Sequence, residues 1–335
     1  MKKILVILAA ILLATAYVLP VYTAENSYPV LESEAAVLMD AQTGQVLFQK
    51  NMDEQLYPAS ITKIMTVLLG LENGHLNDTV TMSREAVFSV ERGASHIALD
   101  TGEQITLEQA LMGAMLPSAN EASNGIAEHI SGSIPAFVKL MNQRAVQAGA
   151  LHTNFTNANG LCTIDHVTTA YDMAMITKAA LLNDEFRRIF GTIKYDIPPT
   201  NKQPEIRHLY AEHKMLESGR YEYDGVIGGK TGYTQESQNT LVTAARRGDR
   251  ELIAVVIKSL NSAVYTDTKA LLDYGFNDFR AVPILLPAVT AANLTGPRTT
   301  PRQPKRLSTR SKPTHIPAYC TKISTAMILW SPTHP

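Results

Sequence analysis

Cysteine is nearly absent from this chain of 335 residues, with only Cys162 and Cys320 present. Two thiols are too few for a disulfide framework, so a body working in an oxidising compartment has to be held by apolar packing. Cys162 reads either as a nucleophile or as a small buried hydrophobe. Because no neighbour in sequence supplies a base, the second reading is preferred. There is no excess of charge of either sign, with 30 Lys and Arg against 31 Asp and Glu and a formal net charge of −1. Proteins that bind nucleic acid concentrate basic residues on one face to displace counterions from phosphates, so nucleic acid is set aside as a partner. Acidic residues are missing altogether after Asp278, where Pro, Thr, Arg and Lys accumulate from Pro297 through Pro313. A segment of that composition buries too little apolar surface to fold, and 281–335 is expected to be a disordered tail. It reads as a linker or a translated frameshift in preference to a basic arm for anionic polymers or lipid head groups.

What is present suits an enzyme-sized globular body, since 45% of the residues are hydrophobic and 18% charged. At the N-terminus Lys2 and Lys3 precede an apolar run from Ile4 to Leu13, followed by Ala14, Thr15, Ala16 and later Thr23 and Ala24. That is the order of a secretory signal, assigned to residues 1–24, with a membrane anchor as the alternative. Both readings put the body outside the cytoplasm, and an uncleaved segment would hold it at the membrane.

From Ala35 to Gln49 two apolar stretches flank Gln42-Thr43-Gly44, which predicts a β-hairpin. After Pro58, apolar residues at Ile61, Ile64, Met65, Leu68 and Leu69 have the spacing of one helix face, ending near Glu72-Asn73-Gly74. Helical periodicity then dominates over Leu107–Leu116, Glu121–Ile130, Ile134–Ala148 and Thr169–Leu182. Strands return from Val226, with Asn239–Arg246 and Glu251–Lys258 joined through Arg247-Gly248-Asp249, and a helix follows from Thr266 to Tyr274. An antiparallel sheet assembled from both ends of the chain, flanked by helices and interrupted by a mainly helical block at about 75–190, is an α+β arrangement. The whole folded domain is placed at 29–280.

Three short motifs carry chemistry. In Ser60-Ile61-Thr62-Lys63 a spacing of three puts hydroxyl and amine one helical turn apart on one face. A serine becomes nucleophilic when a base takes its proton, and a lysine can serve once desolvation or nearby positive charge lowers its pKa. Ser118-Ala119-Asn120 places a hydroxyl and an amide on a turn between two helices. Taken singly, each could be a helix cap; together, Ser118 could relay a proton while Asn120 holds a substrate amide. In Gly228-Gly229-Lys230-Thr231-Gly232-Tyr233-Thr234, Gly232 leaves one face of a strand open to an added peptide. Lys230 and Thr231 are then available to a terminal carboxylate; in isolation the motif reads as a glycine-rich turn with an exposed lysine.

In this order the three motifs resemble those of the penicillin-binding and serine β-lactamase enzymes. Asp40-Ala41-Gln42-Thr43-Gly44, Pro58-Ala59-Ser60, Thr62 through Thr66, Asn159-Gly160-Leu161 and His166 through Ala174 extend the likeness. The chain resembles the low-molecular-mass penicillin-binding proteins that are D-alanyl-D-alanine carboxypeptidases, the S11 peptidases, over roughly residues 29–280. The resemblance implies a β-lactamase/DD-peptidase-like fold. It also implies Ser60 as acylated nucleophile, Lys63 as base, Ser118 and Asn120 as the second cleft wall, and Lys230, Thr231 and Gly232 as the substrate-binding strand. The backbone N–H groups of Ser60 and Tyr233 would form the oxyanion hole. Expected substrates are peptidoglycan stem peptides, expected covalent inhibitors are β-lactams, and no metal or organic cofactor is expected.

Two departures stand out. The family's catalytic domain is normally followed by a small β-rich domain, where this chain has the Pro- and Arg-rich tail. Gln238-Asn239-Thr240 also stands where many relatives have a Gly-Cys stretch. A serine β-lactamase is the nearest rival, but no E-x-x-L-N string occurs between Asn120 and Lys230. A non-catalytic β-lactam sensor or wall-binding module is the rival from another class.

Overall fold

The computed structural model describes residues 28–285 and 326–332. Strands β1 (Ala35–Asp40) and β2 (Val46–Lys50) form the expected hairpin. Gly44 adopts φ +78°, and Asp40 Oδ1 accepts from the Thr43 N–H at 2.7 Å and the Thr43 hydroxyl at 2.6 Å, which fixes the turn. A 3-10 turn (Ala59–Thr62) runs directly into helix α1 (Lys63–Asn73). Next come β3 (Thr79–Thr81), α2 (Arg84–Phe88), β4 (Gln104–Thr106), α3 (Leu107–Met115) and α4 (Asn120–Ser131). Helices α5 (Ile134–Ala148), α6 (Ala170–Ala180) and α7 (Asp184–Phe190) complete the helical block, and β5 (Lys194–Ile197) pairs with β6 (Arg207–Tyr210). Strands β7 (Val226–Thr234), β8 (Gln238–Arg247) and β9 (Arg250–Ser259) precede α8 (Ala263–Asp278), and β10 (Phe279–Leu285) pairs with β11 (Ala326–Pro332).

The central sheet is antiparallel with order β2-β1-β9-β8-β7, so the first and last thirds of the domain meet where β1 pairs with β9. Both faces are covered, and the side chains alternate accordingly. Val37, Met39, Ile253, Val255 and Ile257 point into the core shared with the helical block, whereas Ala36, Leu38, Leu252, Ala254 and Val256 pack with α8. Each buried branched side chain contributes about 1.5–3 kcal/mol of transfer free energy, which makes β9 the spine of the domain. The fold is α+β, as expected. β7 is an edge strand, and its free edge borders the cleft described below.

Helix α1 departs from the expected one-faced stripe. Lys63 through Gly70 are buried without interruption, because α3, α4, α5, α6 and α7 all pack against the helix. A helix at the centre of a block has no solvent face to keep polar. Helices α2 and α7 carry too short a periodic pattern to read in advance, yet both are capped: Ser83 Oγ accepts from Ala86 N and Asn183 Oδ1 from Phe186 N. Residues 281–285 and 326–332 were expected in a disordered tail and are instead paired as β10 and β11. The signal segment 1–24 and residues 286–325 lie outside the described residues, among which no helix is long and apolar enough to cross a membrane.

The 3-10 turn is gripped from two sides. Thr240 of β8 donates its hydroxyl to Pro58 O at 2.9 Å. From the other side, Gly160 at φ +90° comes so near that a Cβ there would lie 2.0 Å from Ala59 O. A Gly160→Ala substitution therefore meets both a left-handed backbone and a backbone clash. It should lower the unfolding free energy by on the order of 3 kcal/mol, read as an earlier urea midpoint. An unchanged midpoint would show that this loop does not brace the turn.

Candidate active site

Ser60 lies on the 3-10 turn, partly exposed, and is preceded by Ala59 at φ +52°. Lys63, at the first turn of α1, is wholly buried, and its Nζ lies 2.9 Å from Ser60 Oγ. The same nitrogen donates to Asn120 Oδ1 at 2.8 Å and to Asn159 O at 2.6 Å. Burial first, and the positive charge of Lys230 second, hold its pKa well below the ordinary lysine value. The partners suit a neutral amine. Two carbonyl oxygens can only accept, so they take its two hydrogens, and the lone pair remains for the one partner able to donate, the Ser60 hydroxyl.

Asn120 opens α4 and is held by its Nδ2 and backbone N–H, which both donate to Ser95 O at 3.0 and 2.9 Å. The helix's N-cap is Ala119, with no side-chain cap, so neither Ser118 nor Asn120 acts in the capping role open to them. Ser118 adopts φ +65° and is buried, and its Oγ has no hydrogen-bond partner in the protein. It lines the same cleft of about 280 Å³ as Ser60, Thr231, Gly232 and Tyr233.

The cleft's other wall is the edge strand β7. Gly232 does not open that strand as expected; it lets the strand close in, since a Cβ would fall 2.8 Å from Ser60 N and 2.3 Å from Thr240 Oγ1. Lys230 is buried, not exposed: its Nζ donates to Thr231 O at 3.0 Å and lies 3.9 Å from a Glu212 carboxylate oxygen. Burial lowers its pKa to about 8, with Glu212 pulling the other way. The exposed ring of Tyr233 stands at the rim.

Of the residues singled out from sequence, Ser60, Ser118, Thr231, Gly232 and Tyr233 line one cleft; Lys63 and Asn120 connect to it through hydrogen bonds that run from Ser60, and Lys230 is buried behind Thr231. Sequence reasoning missed the Asn159 carbonyl, a backbone atom for which no side-chain signal exists, and Glu212, which accepts from the Thr231 hydroxyl at 3.0 Å. Cys162 is not the buried hydrophobe expected. It is half-buried in a loop, and burial with nearby Glu236 raises its pKa, which disfavours a thiolate. Among the described residues no cluster suited to a metal ion occurs.

Two buried histidines frame the site. His166 Nδ1 accepts from Thr156 N at 3.0 Å and its Nε2 meets Thr62 Oγ1 at 2.9 Å. His213 Nδ1 accepts from Met215 N and its Nε2 meets Thr243 Oγ1 at 2.8 Å. Burial lowers each pKa from 6.5 to about 4. The unfolded chain therefore binds these protons first, and stability present above pH 6.5 is lost as the pH falls towards 4. The loss is about 1.4 kcal/mol per pH unit for each ring within that window. Urea midpoints at pH 7.5 and 5 should diverge accordingly, and His213→Gln should remove one ring's share. An identical pH dependence in that variant would contradict the assignment.

The family model described as D-alanyl-D-alanine carboxypeptidase matches residues 22–261. The D-alanyl-D-alanine carboxypeptidase DacF of Bacillus subtilis is 37% identical, over 76% of this chain and 64% of its own length. DacC of Escherichia coli is 31% identical, over 78% and 66%. The chain thus spans just under two thirds of the length of these relatives. Among solved structures, the Streptomyces K15 DD-transpeptidase superposes with a TM-score of 0.68 at 31% identity, covering 74% of this chain and 98% of that one.

Proposed function

Because this chain belongs to the S11 peptidases, the D-alanyl-D-alanine carboxypeptidase family, we propose that it is a serine-type carboxypeptidase acting on peptidoglycan stem peptides through an acyl-enzyme at Ser60. The observation that carries the reading is the buried Lys63 amine, 2.9 Å from the Ser60 hydroxyl with its own hydrogens directed to two carbonyls. Residues 29–280 form the catalytic domain. The N-terminal 1–24 serve as the secretory signal that delivers it outside the cytoplasm.

Lys63 takes the Ser60 proton as Oγ attacks the carbonyl of the penultimate D-alanine. The developing oxyanion is received by the N–H groups of Ser60 and Tyr233, each such donor being worth about 3 kcal/mol. The close approach of β7 to Ser60 N at Gly232 supports that pairing. As the intermediate collapses, the proton passes through Ser118 to the departing amine of the terminal D-alanine, and Asn120 holds the substrate amide. Lys230 and Thr231 face the carboxylate end of the leaving residue. Water then cleaves the Ser60 ester and releases the shortened peptide. The peptide itself lies along the free edge of β7, where unpaired main-chain groups can receive it. β-Lactams acylate the same oxygen.

Intact-mass measurement after penicillin exposure should find one adduct, mapped to Ser60, that is absent in Ser60→Ala. Lys63→Ala should slow acylation by about 10²- to 10⁴-fold. Release of D-alanine from diacetyl-Lys-D-Ala-D-Ala should be lost with Ser60→Ala. Rapid penicillin turnover without D-alanine release would instead identify a β-lactamase. For kcat/KM, the rate should climb with pH as Lys63 loses its proton and fall above about 8 as Lys230 loses its own. A descending limb absent up to pH 10, in an enzyme that remains folded, would remove Lys230 from substrate binding.

A further inference from the structure

The end of the cleft assigned to the substrate's carboxylate already holds a carboxylate. Glu212 lies on the loop between β6 and β7, anchored by its N–H to Leu116 O at 3.2 Å. Its Oε2 accepts from the Thr231 hydroxyl at 3.0 Å and lies 3.9 Å from Lys230 Nζ. These are the two groups an arriving carboxylate would need. The Thr231 hydroxyl has one hydrogen and cannot give it to both. No arginine or lysine is among the described residues lining the cleft, whose walls here are Thr240, Asn239 and Tyr265 beside Glu212. Positive charge reaches this end from Lys230, beneath Thr231, and Glu212 partly cancels it.

We propose that Glu212 is a specificity-determining residue that weakens the hold of the leaving-group end of the cleft on a free carboxylate. It narrows the margin by which a free carboxylate is preferred, so that leaving residues ending in an amide or continuing as a peptide are accepted beside it. The inference rests on the acyl-enzyme reading above. Like charges brought together suppress one partner relative to another, whereas an amide N–H can donate to Glu212 Oε2. Glu212 also helps Lys230 keep its proton. The variants are therefore compared well below the pKa of about 8 at which Lys230 loses its proton, so that the free enzyme keeps that charge when Glu212 is removed.

The test compares wild type, Glu212→Gln, Glu212→Ala and the charge-conserving Glu212→Asp. One readout is kcat/KM for release of D-alanine from an N-acyl-D-Ala-D-Ala peptide and of D-alaninamide from its C-terminal amide. A second is the rate of Ser60 acylation by benzylpenicillin, which carries its own carboxylate. Expected is a rise of about tenfold in the carboxylate-to-amide ratio for Gln and Ala, chiefly through KM and equivalent to 1.4 kcal/mol. Penicillin acylation should quicken alongside, while Asp keeps the low ratio. A ratio unchanged or lowered in Gln and Ala, with the Ser60 adduct still forming, overturns the role of Glu212 alone. If neither peptide turns over, the acylation rates decide in the same sense. Absence of any adduct in every variant overturns the acyl-enzyme reading and this inference with it.

Discussion

The site depends on holding an amine in the interior, where burial disfavours its proton. Taking an ammonium out of water costs several kcal/mol, so a wholly buried lysine favours its neutral form unless a counter-charge is at hand. Here the immediate partners are two carbonyls and a hydroxyl, while the acidic groups that pull the other way, Glu212 and Glu121, act from farther off. A second buried cation, Lys230, pushes in the same direction as desolvation. Either carbonyl could be lost only by leaving one of the amine's hydrogens without an acceptor in a place water does not reach.

That requirement organises the neighbouring structure. The Asn159 carbonyl reaches Lys63 because its loop runs against the 3-10 turn, and the approach is close enough that Gly160 alone fits. Opposite, β7 is drawn against Ser60 N at Gly232, and β8 holds Pro58 through Thr240. Two non-glycine residues with left-handed backbones, Ala59 and Ser118, stand at Ser60 and at Ser118 itself. Such conformations cost about 1–3 kcal/mol each and persist where the surroundings over-determine them. The packing that compels them is the same packing that aims the hydroxyls.

Much of this was legible in the sequence. The opening hairpin, the long helices and the sheet drawn from both ends followed from periodicity and turn residues, because those patterns reflect burial on one or two faces. The three motifs could be matched to a cleft since their residue types are scarce in that combination. Other features depend on contacts between distant segments and leave no local trace. The Asn159 carbonyl belongs to the backbone, Glu212 is an ordinary loop acid until β7 is laid beside it, and α1 shows a stripe although every side is covered. Lys230 reads as exposed because a lysine in a glycine-rich stretch normally is. Cys162 stays half-exposed because its loop runs along the surface.

The sheet order also dictates when the cleft can exist. β1 has β9 as its inner neighbour, and the grip of Thr240 on Pro58 joins residues 182 apart in the chain. Chains emerge N-terminus first, so Ser60 appears long before the strand that shapes its pocket. Contacts of such long range are slow to form. A nascent or truncated molecule ending before β7 would carry Ser60 and Lys63 yet lack the wall that closes the cleft. Competence would arrive abruptly, with the last strand to dock.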